Sequence, residues 1–519
     1  MLSVLAPLLL VAASSETCAP CHKSIYDSYR RTPMARLERR AGAWVVSGKF
    51  DRASFTHPGT GFQYEIRQEK GGLVLQFHKA TGELHGIRAL PYFIGSGAKA
   101  RSYMLADQGF LYQAPVAYYS TTGKWDLAPA YDGYAYPYLA RPIAPACLNC
   151  HASFLDVVPA AQNRYGAPPF GEGGVACQRC HGDGDAHVRS GGRGAIINPS
   201  RLTPRHRDSL CSQCHLTGEA RVMRPGRDWR SFRPGGDLAD SMTVFVRAGA
   251  ATGLRVTSHV ENLAGSACKR AAGDRLWCGS CHDPHAPPVD RASWYRAKCA
   301  ACHTPSACIG PGGPDCAGCH MPSTGVVDAQ HVVYTDHSIP RRPRAQPART
   351  AIGDLAAFGG GRAHERDLGL AYAIVGARER SPALLDRARI LLERAEKAGP
   401  EDVEVLVYLA ELHRNGDRPA QAIPLFERAL RLDPAQVSAS VGLGGIRMER
   451  GEYAEAIRLW RDALSRNAGL PLVRMNLGMA LWRSGDRDAA LATLENAVAR
   501  NPGFAAAVEL LDRLRSAQR

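Results

Sequence analysis

Long hydrophobic runs are missing from this 519-residue chain. After the first 13 residues, no stretch approaches the roughly 20 apolar positions that a membrane-spanning helix requires, and this excludes a helical span there. Acidic residues are also scarce, 49 against 64 Lys and Arg. The imbalance is local: residues 1–368 hold 42 basic and 29 acidic side chains, whereas 369–519 hold 22 and 20. Cysteine outside one repeated spacing is the third shortage. Of 16 cysteines, only Cys268 and Cys308 escape it.

That spacing is Cys-x-x-Cys-His, and it occurs seven times: Cys18/Cys21/His22, Cys147/Cys150/His151, Cys177/Cys180/His181, Cys211/Cys214/His215, Cys278/Cys281/His282, Cys299/Cys302/His303 and Cys316/Cys319/His320. Each is the attachment signature of a c-type haem. Two thiols add to the porphyrin vinyl groups, and the adjacent histidine becomes the proximal iron ligand. One turn of chain must then present both sulfurs to a macrocycle edge and the imidazole to its face. Structural zinc also uses Cys-x-x-Cys pairs, but it has no need of a histidine directly after every second cysteine. Disulfides would not require an unvarying spacing. The expectation is seven covalently bound haem c groups. Their fourteen propionates would offset the local basic excess, so the arginines there read as carboxylate partners. Nucleic acid is not expected as a partner.

Leu2 to Ala13 is a short apolar run ending in small residues, followed by polar Ser14, Ser15 and Glu16. It reads as a secretory signal over 1–15, although the usual basic lead-in is missing. The expected location is periplasmic or extracellular, where thiols are not kept reduced. Residues 16–145 join the first motif to strand-like sequence. Phe62–His78 alternates apolar and polar positions around Gly71-Gly72, a hairpin signal, and Phe110–Tyr138 is rich in aromatics. Residues 146–340 carry the other six motifs in loop-rich sequence. Residues 341–368, rich in Pro and Arg and then in Gly, read as a linker.

Residues 369–519 repeat. Pro400, Pro434 and Pro502 are spaced by 34 or a multiple of it, with Ala468 in the missing place. In the same register fall Gly376, Ala410, Gly444 and Gly478; Ala388, Ala422, Ala456 and Ala490; Ala395, Ala429, Ala463 and Ala497; and the large Leu392, Phe426, Trp460 and Leu494. This is the tetratricopeptide period, two antiparallel helices per repeat. Four repeats and a capping helix at Phe504–Ser516 are expected, as scaffold or as a groove for a partner.

Besides the seven proximal histidines, His57, His78, His85, His187, His206, His259, His285, His331 and His337 lie outside the repeats. Nine candidates for seven distal positions permit bis-histidine ligation throughout, which favours electron transfer over substrate binding. His78 and His85 fit a strand surface instead. Met34 is a further candidate sulfur ligand, and His413 fits repeat packing. Cys268 and Cys308 form a candidate disulfide.

The segments SETCAPCHKSIYDSYRRTPMAR, ACQRCHGDGDAH, LCSQCH, CGSCHDPH and CAGCHMP, with YFIGSGAKARSYM and HVVYTDHSIPRR, resemble multihaem cytochromes of the c554 type, in particular bacterial members with a C-terminal tetratricopeptide array. The resemblance implies a haem-cored, loop-rich multihaem cytochrome c with a small β-rich insert, followed by an all-α tetratricopeptide solenoid. It implies electron transfer through bis-histidine haems stacked in close pairs. It makes His187 and His285 distal ligands to haems other than their own, and His259, His331 and His337 ligands on the same basis. His57 is assigned to the first haem, and His206 ranks last. Redox partner proteins docked by the repeats are expected, with self-association left open. The alternative is an oxidoreductase of small nitrogen or sulfur compounds with one open haem. No Cys-x-x-Cys-Lys supports it, since Cys268-Lys269 has Gly265 where the partner cysteine would stand.

Overall fold

A computed structural model describes residues 14–36, 38–40, 53–69, 72–79, 85–131, 139, 141–248, 253–304, 315–329, 331–341, 353–361 and 363–518. Most of the expected signal, Gly71, Cys308 and much of the linker fall outside these residues. Ser14 and Ser15, assigned to the signal, are part of the packed chain. Ser15 is fully buried and its Oγ accepts from the Cys177 N–H at 3.1 Å.

The β-rich insert consists of two antiparallel sheets. One has β2 (Ala53–Thr56), β3 (Phe62–Glu69), β4 (Gly72–Lys79) and β5 (His85–Leu90) in chain order; the other runs β1 (Glu38–Arg40), β6 (Tyr92–Ile94), β7 (Ala100–Asp107), β8 (Phe110–Tyr119), β9 (Lys124–Leu127). Alternation decides which face is buried. Phe62, Tyr64 and Ile66 of β3 lie in the core opposite Leu75 and Phe77 of β4, with Tyr64 paired to Phe77 and Ile66 to Leu75. Tyr103, Tyr112, Val116 and Tyr119 from the second sheet complete the same core.

The stretch from 146 to 340 has a different character. Its strands form separate antiparallel pairs: β10 (Ala152–Val157) pairs with β11 (Tyr165–Gly173), β12 (Ala220–Met223) with β13 (Met242–Arg247), and β14 (Ser323–Gly325) with β15 (Val333–Thr335). Five helices between His259 and His320 bury no residue at all: His259–Ala264, Ala267–Ala272, Cys278–Cys281, Arg291–Ala300 and Cys316–His320. Helices of four to ten residues do not hold in water without a packed face. Residues 204–247 do have a core, of Leu210, Leu216, Phe232, Leu238, Met242 and Val244, but these five helices contribute no buried residue to one.

The C-terminal region is all helical. Four antiparallel pairs run α1 (Glu365–Glu379) with α2 (Pro382–Ala398), α3 (Val403–Asn415) with α4 (Pro419–Leu432), α5 (Val437–Glu449) with α6 (Tyr453–Arg466), and α7 (Pro471–Arg483) with α8 (Arg487–Arg500), capped by α9 (Ala505–Gln518). The register residues do what their sizes imply. Leu392, Phe426, Trp460 and Leu494 are buried, and a side chain on Gly444 would lie 2.5 Å from the Trp460 ring. The helices meet closely at Gly376, Gly444 and Gly478, where a Cβ would lie within 3 Å of a side chain of the second helix, whereas α3 accommodates the small Ala410.

Part of the expected linker is structured. Leu355–Ala357 forms β16 and adds to β13, and α1 begins at Glu365, inside the range assigned to the linker. A three-residue strand carries no periodicity for a sequence to display. The sheet of β12, β13 and β16 shares one core with α1 to α5. Buried Asp367 binds Arg224, Arg366 and the Thr243 hydroxyl, each at 2.8 Å. Asp367→Ala leaves these cations without their counter-charge and is expected to cost about 3–5 kcal/mol, read as a lower urea midpoint.

Glu219, also buried, binds Arg255 at 2.8 Å and Arg378 of α1. Burial raises its carboxyl pKa, but the hydrogen bonds and charges of the two arginines outweigh this and hold it below the ordinary 4.5. A carboxylate with a depressed folded pKa contributes stability above its unfolded pKa and loses it as pH falls through the folded value. The wild type should therefore lose more stability than Glu219→Gln between about pH 5 and pH 3, measured as the pH dependence of the urea midpoint.

A second seam joins the array to the insert at the turn between α6 and α7, where Ala468 replaces the register proline. Asn467 Nδ2 donates to Gln162 Oε1 at 2.8 Å, Ala468 joins the insert's core, and a Cβ on Gly469 would lie 2.4 Å from the Tyr112 ring. Arg500 pairs with Asp107 beside it.

Candidate functional site

Each motif folds as a single tight turn. The N–H of His22, His181, His282 and His303 donates to the carbonyl of the first cysteine of its own motif, each at 2.9 Å. The Cys211 motif ends the helix Pro204–His215, and the Cys316 motif forms its own helix. One turn thus holds two sulfurs and an imidazole together, as attachment to one macrocycle demands.

The turns also come together. Thiols of different motifs touch: Cys18 with Cys177, Cys150 with Cys214, Cys211 with Cys278, and Cys299 with Cys316. Seven identical spacings do not give seven identical settings, however. Cys21, Cys147, Cys302 and Cys319 are exposed, whereas the other motif cysteines are half-buried. In these four turns one thiol (Cys18, Cys150, Cys299 or Cys316) meets a sulfur of a neighbouring motif while the other stands at the surface; Cys177 and Cys278 also meet a neighbouring motif, but Cys180 and Cys281 stay half-buried. The polypeptide alone does not enclose Cys21, Cys302 or Cys319.

None of the described cysteines is disulfide-bonded. Cys268 lies in the helix Ala267–Ala272, and its expected partner Cys308 is outside the described residues. Among the described residues, no three His, Cys, Asp or Glu side chains gather in a way that could hold a metal ion by themselves.

Three pairs of histidine rings face each other. His22 and His187 are 6.3 Å apart between centroids with planes 12° apart, His181 and His285 5.8 Å and 23°, and His282 and His337 6.2 Å and 29°. Imidazoles on opposite faces of one metal, with metal–nitrogen distances of about 2.0–2.1 Å, have centroids about 6.3 Å apart. The tautomers agree. Nδ1 of His181, His187, His320 and His337 donates to the carbonyls of Ile197, Gly194, Pro340 and Thr335, at 2.8, 2.8, 3.1 and 2.9 Å. A carbonyl only accepts, so each Nδ1 carries the hydrogen and Nε2 keeps the free lone pair that iron binds. Burial pushes His151 and His282 down to about 4 and His259 to about 3, which keeps these rings neutral. The donor set fits haem.

The other candidates stand elsewhere. His57 is buried in the turn between β2 and β3, where its Nδ1 accepts from the Thr60 N–H at 2.9 Å. Its hydrogen therefore sits on Nε2, and it is His187, rather than His57, that faces His22. His331 binds Asp126 at 2.9 Å beside Tyr119 of the insert. His206 is in the first turn of the helix Pro204–His215 and forms no ring pair among the described residues. His259 meets His215 at 5.1 Å and His337 at 4.7 Å, edge to face in both cases. His78 and His85 are cross-strand neighbours on β4 and β5. Met34 contributes its carbonyl, which accepts from the Val175 N–H at 3.0 Å. His413 is buried in α3, as repeat packing predicts.

Comparison with known proteins speaks to the C-terminal region. Residues 384–436 and 409–471 match one tetratricopeptide-repeat model, and 447–514 another. This region is a tetratricopeptide-repeat array. No curated protein matches the chain. Among solved structures, a crystal structure of MamA is 24% identical, covering 28% of this chain and 84% of that one at a TM-score of 0.26. YrrB, described as a TPR protein with an unusual peptide-binding site, is 22% identical over 27% of this chain and 73% of its own, at 0.25.

Proposed function

We propose that the chain is a seven-haem c-type cytochrome of the periplasm or extracellular space that relays electrons between redox partner proteins, with the repeat array as docking element. When bound, each haem supplies an iron that cycles between ferric and ferrous states. The fourteen motif cysteines would hold the groups as thioethers, and His22, His151, His181, His215, His282, His303 and His320 would bind their irons. The observation that carries this reading is the set of five helices without a buried residue, three of them bearing motif cysteines. Facing imidazoles with free Nε2 support closed, six-coordinate sites suited to electron transfer.

The second reading, an oxidoreductase of small nitrogen or sulfur compounds, is favoured by one place. Among the described residues no histidine ring faces His151, and the same is true of His215, His303 and His320, so what distinguishes the His151 motif is the lining beside it. A cavity of about 140 Å³ next to its motif is lined by Arg179, Trp229, Arg230 and Arg233. These guanidiniums suit a small oxyanion. The EPR spectrum of the oxidised holoprotein separates the two. Only low-spin ferric centres are expected for the relay, whereas a high-spin centre that responds to nitrite would establish the second reading.

A further inference from the structure

We infer that the first, third, fifth and seventh motifs are tied into one ladder, in which the segment following each later motif delivers the distal histidine of the motif two before it. The inference rests on the haem reading and adds what that reading leaves open, namely which histidine serves which site. His187, opposite His22 of the first motif, follows the third motif's His181 by six residues. His285, opposite His181, follows the fifth motif's His282 by three. His337, opposite His282, lies downstream of the seventh motif's His320. The same step is taken three times.

Geometry separates these pairs from chance contacts. The three facing pairs are 5.8–6.3 Å apart, close to the separation that two imidazoles on one iron require, whereas the two contacts of His259, at 5.1 and 4.7 Å, are too short to admit a metal between the rings. The distal rings are also aimed by backbone. His187 is locked by the Gly194 carbonyl, and the loop carrying that carbonyl closes only because residue 194 is glycine: a Cβ there would lie 2.7 Å from the Ala186 oxygen. His337 is held by the carbonyl of Thr335, two residues away in β15.

The ladder has a direction. Three residues of extended chain span at most about 11 Å and six about 22 Å, so the proximal histidine of one site and the distal histidine of its neighbour cannot drift apart. Losing the third motif's segment would strip two sites, its own and the first. Losing the first motif would leave the third and fifth sites with both their histidines.

The test uses the oxidised holoprotein. Haem per chain is measured by pyridine haemochromogen absorbance and mass, and spin state by EPR. His187→Ala, His285→Ala and His337→Ala should each retain seven haems and gain one high-spin ferric centre. In a Cys18→Ser/Cys21→Ser chain with six haems, His187→Ala should add no further high-spin centre. A new high-spin centre in that background, or no change in the single variants, overturns the ladder. Should the six-haem chain not be recovered, a spin label on a non-natural residue at exposed position 23, next to His22, replaces it. The label should relax faster in His187→Ala than in His337→Ala, and equal relaxation overturns the assignment. A haem count of zero would instead sink the haem reading itself.

Discussion

Produced without covalent haem attachment, the chain should lose residues 259–320 to brief trypsin digestion, while a helical fragment spanning 403–518 survives. The contrast follows from what each part buries. The array packs Phe426, Trp460, Leu494 and the register alanines Ala422, Ala429, Ala456, Ala463, Ala490 and Ala497 at essentially zero exposure, and stacked repeats are stabilised by their neighbours alone. The stretch around the last three motifs contributes five helices with no buried residue, and none exceeds ten residues. Its helical state depends on apolar surface that the polypeptide does not supply. With haem attached, the same digestion should spare both parts. Equal resistance with and without haem would show that some other group, or none, completes that core.

Trp460→Ala should lower the stability of the array by about 3–5 kcal/mol. Trp460 is 2% exposed, its Nε1 donates to the Val441 carbonyl at 3.3 Å, and Gly444 of α5 lies directly against its ring. The cavity cannot collapse easily, because the glycine that admits the indole has no side chain to fill the space. Urea unfolding of the holoprotein, followed by far-ultraviolet circular dichroism, measures the loss. Leu494→Ala, which removes a smaller side chain from the equivalent place, should cost about 2–5 kcal/mol.

Periodic features were legible in the sequence. The 34-residue register located α1 to α9 because every repeat needs the same small and large residues where its helices meet. Alternation on either side of Gly71-Gly72 located β3 and β4 because a half-buried strand has period two. Histidine partnership was less legible. His57 lies closer in sequence to the first motif than His187 does, yet its Nδ1 caps a turn. What selects His187 is a glycine loop that brings a carbonyl to Nδ1, and such a loop path is a tertiary property. The available signal was position: His187 and His285 both follow a motif within six residues. The meetings between motif sulfurs were equally hidden, because they depend on which motifs become neighbours, and Cys18 meets Cys177 from 159 positions away. The missing proline at 468 was visible as a gap in the register, but its reason, a turn seated against Tyr112, lies in a part of the chain more than 350 residues away.

The two seams bear on how the protein can be divided. One end of the array shares the sheet of β12, β13 and β16, and its third turn enters the core of the insert. A cut after residue 362 would expose apolar and ionic surface on both fragments rather than release a portable module. Gene fusions or domain exchanges that treat residues 363–518 as interchangeable cargo would inherit that exposed surface, and their solubility would suffer before any partner was met.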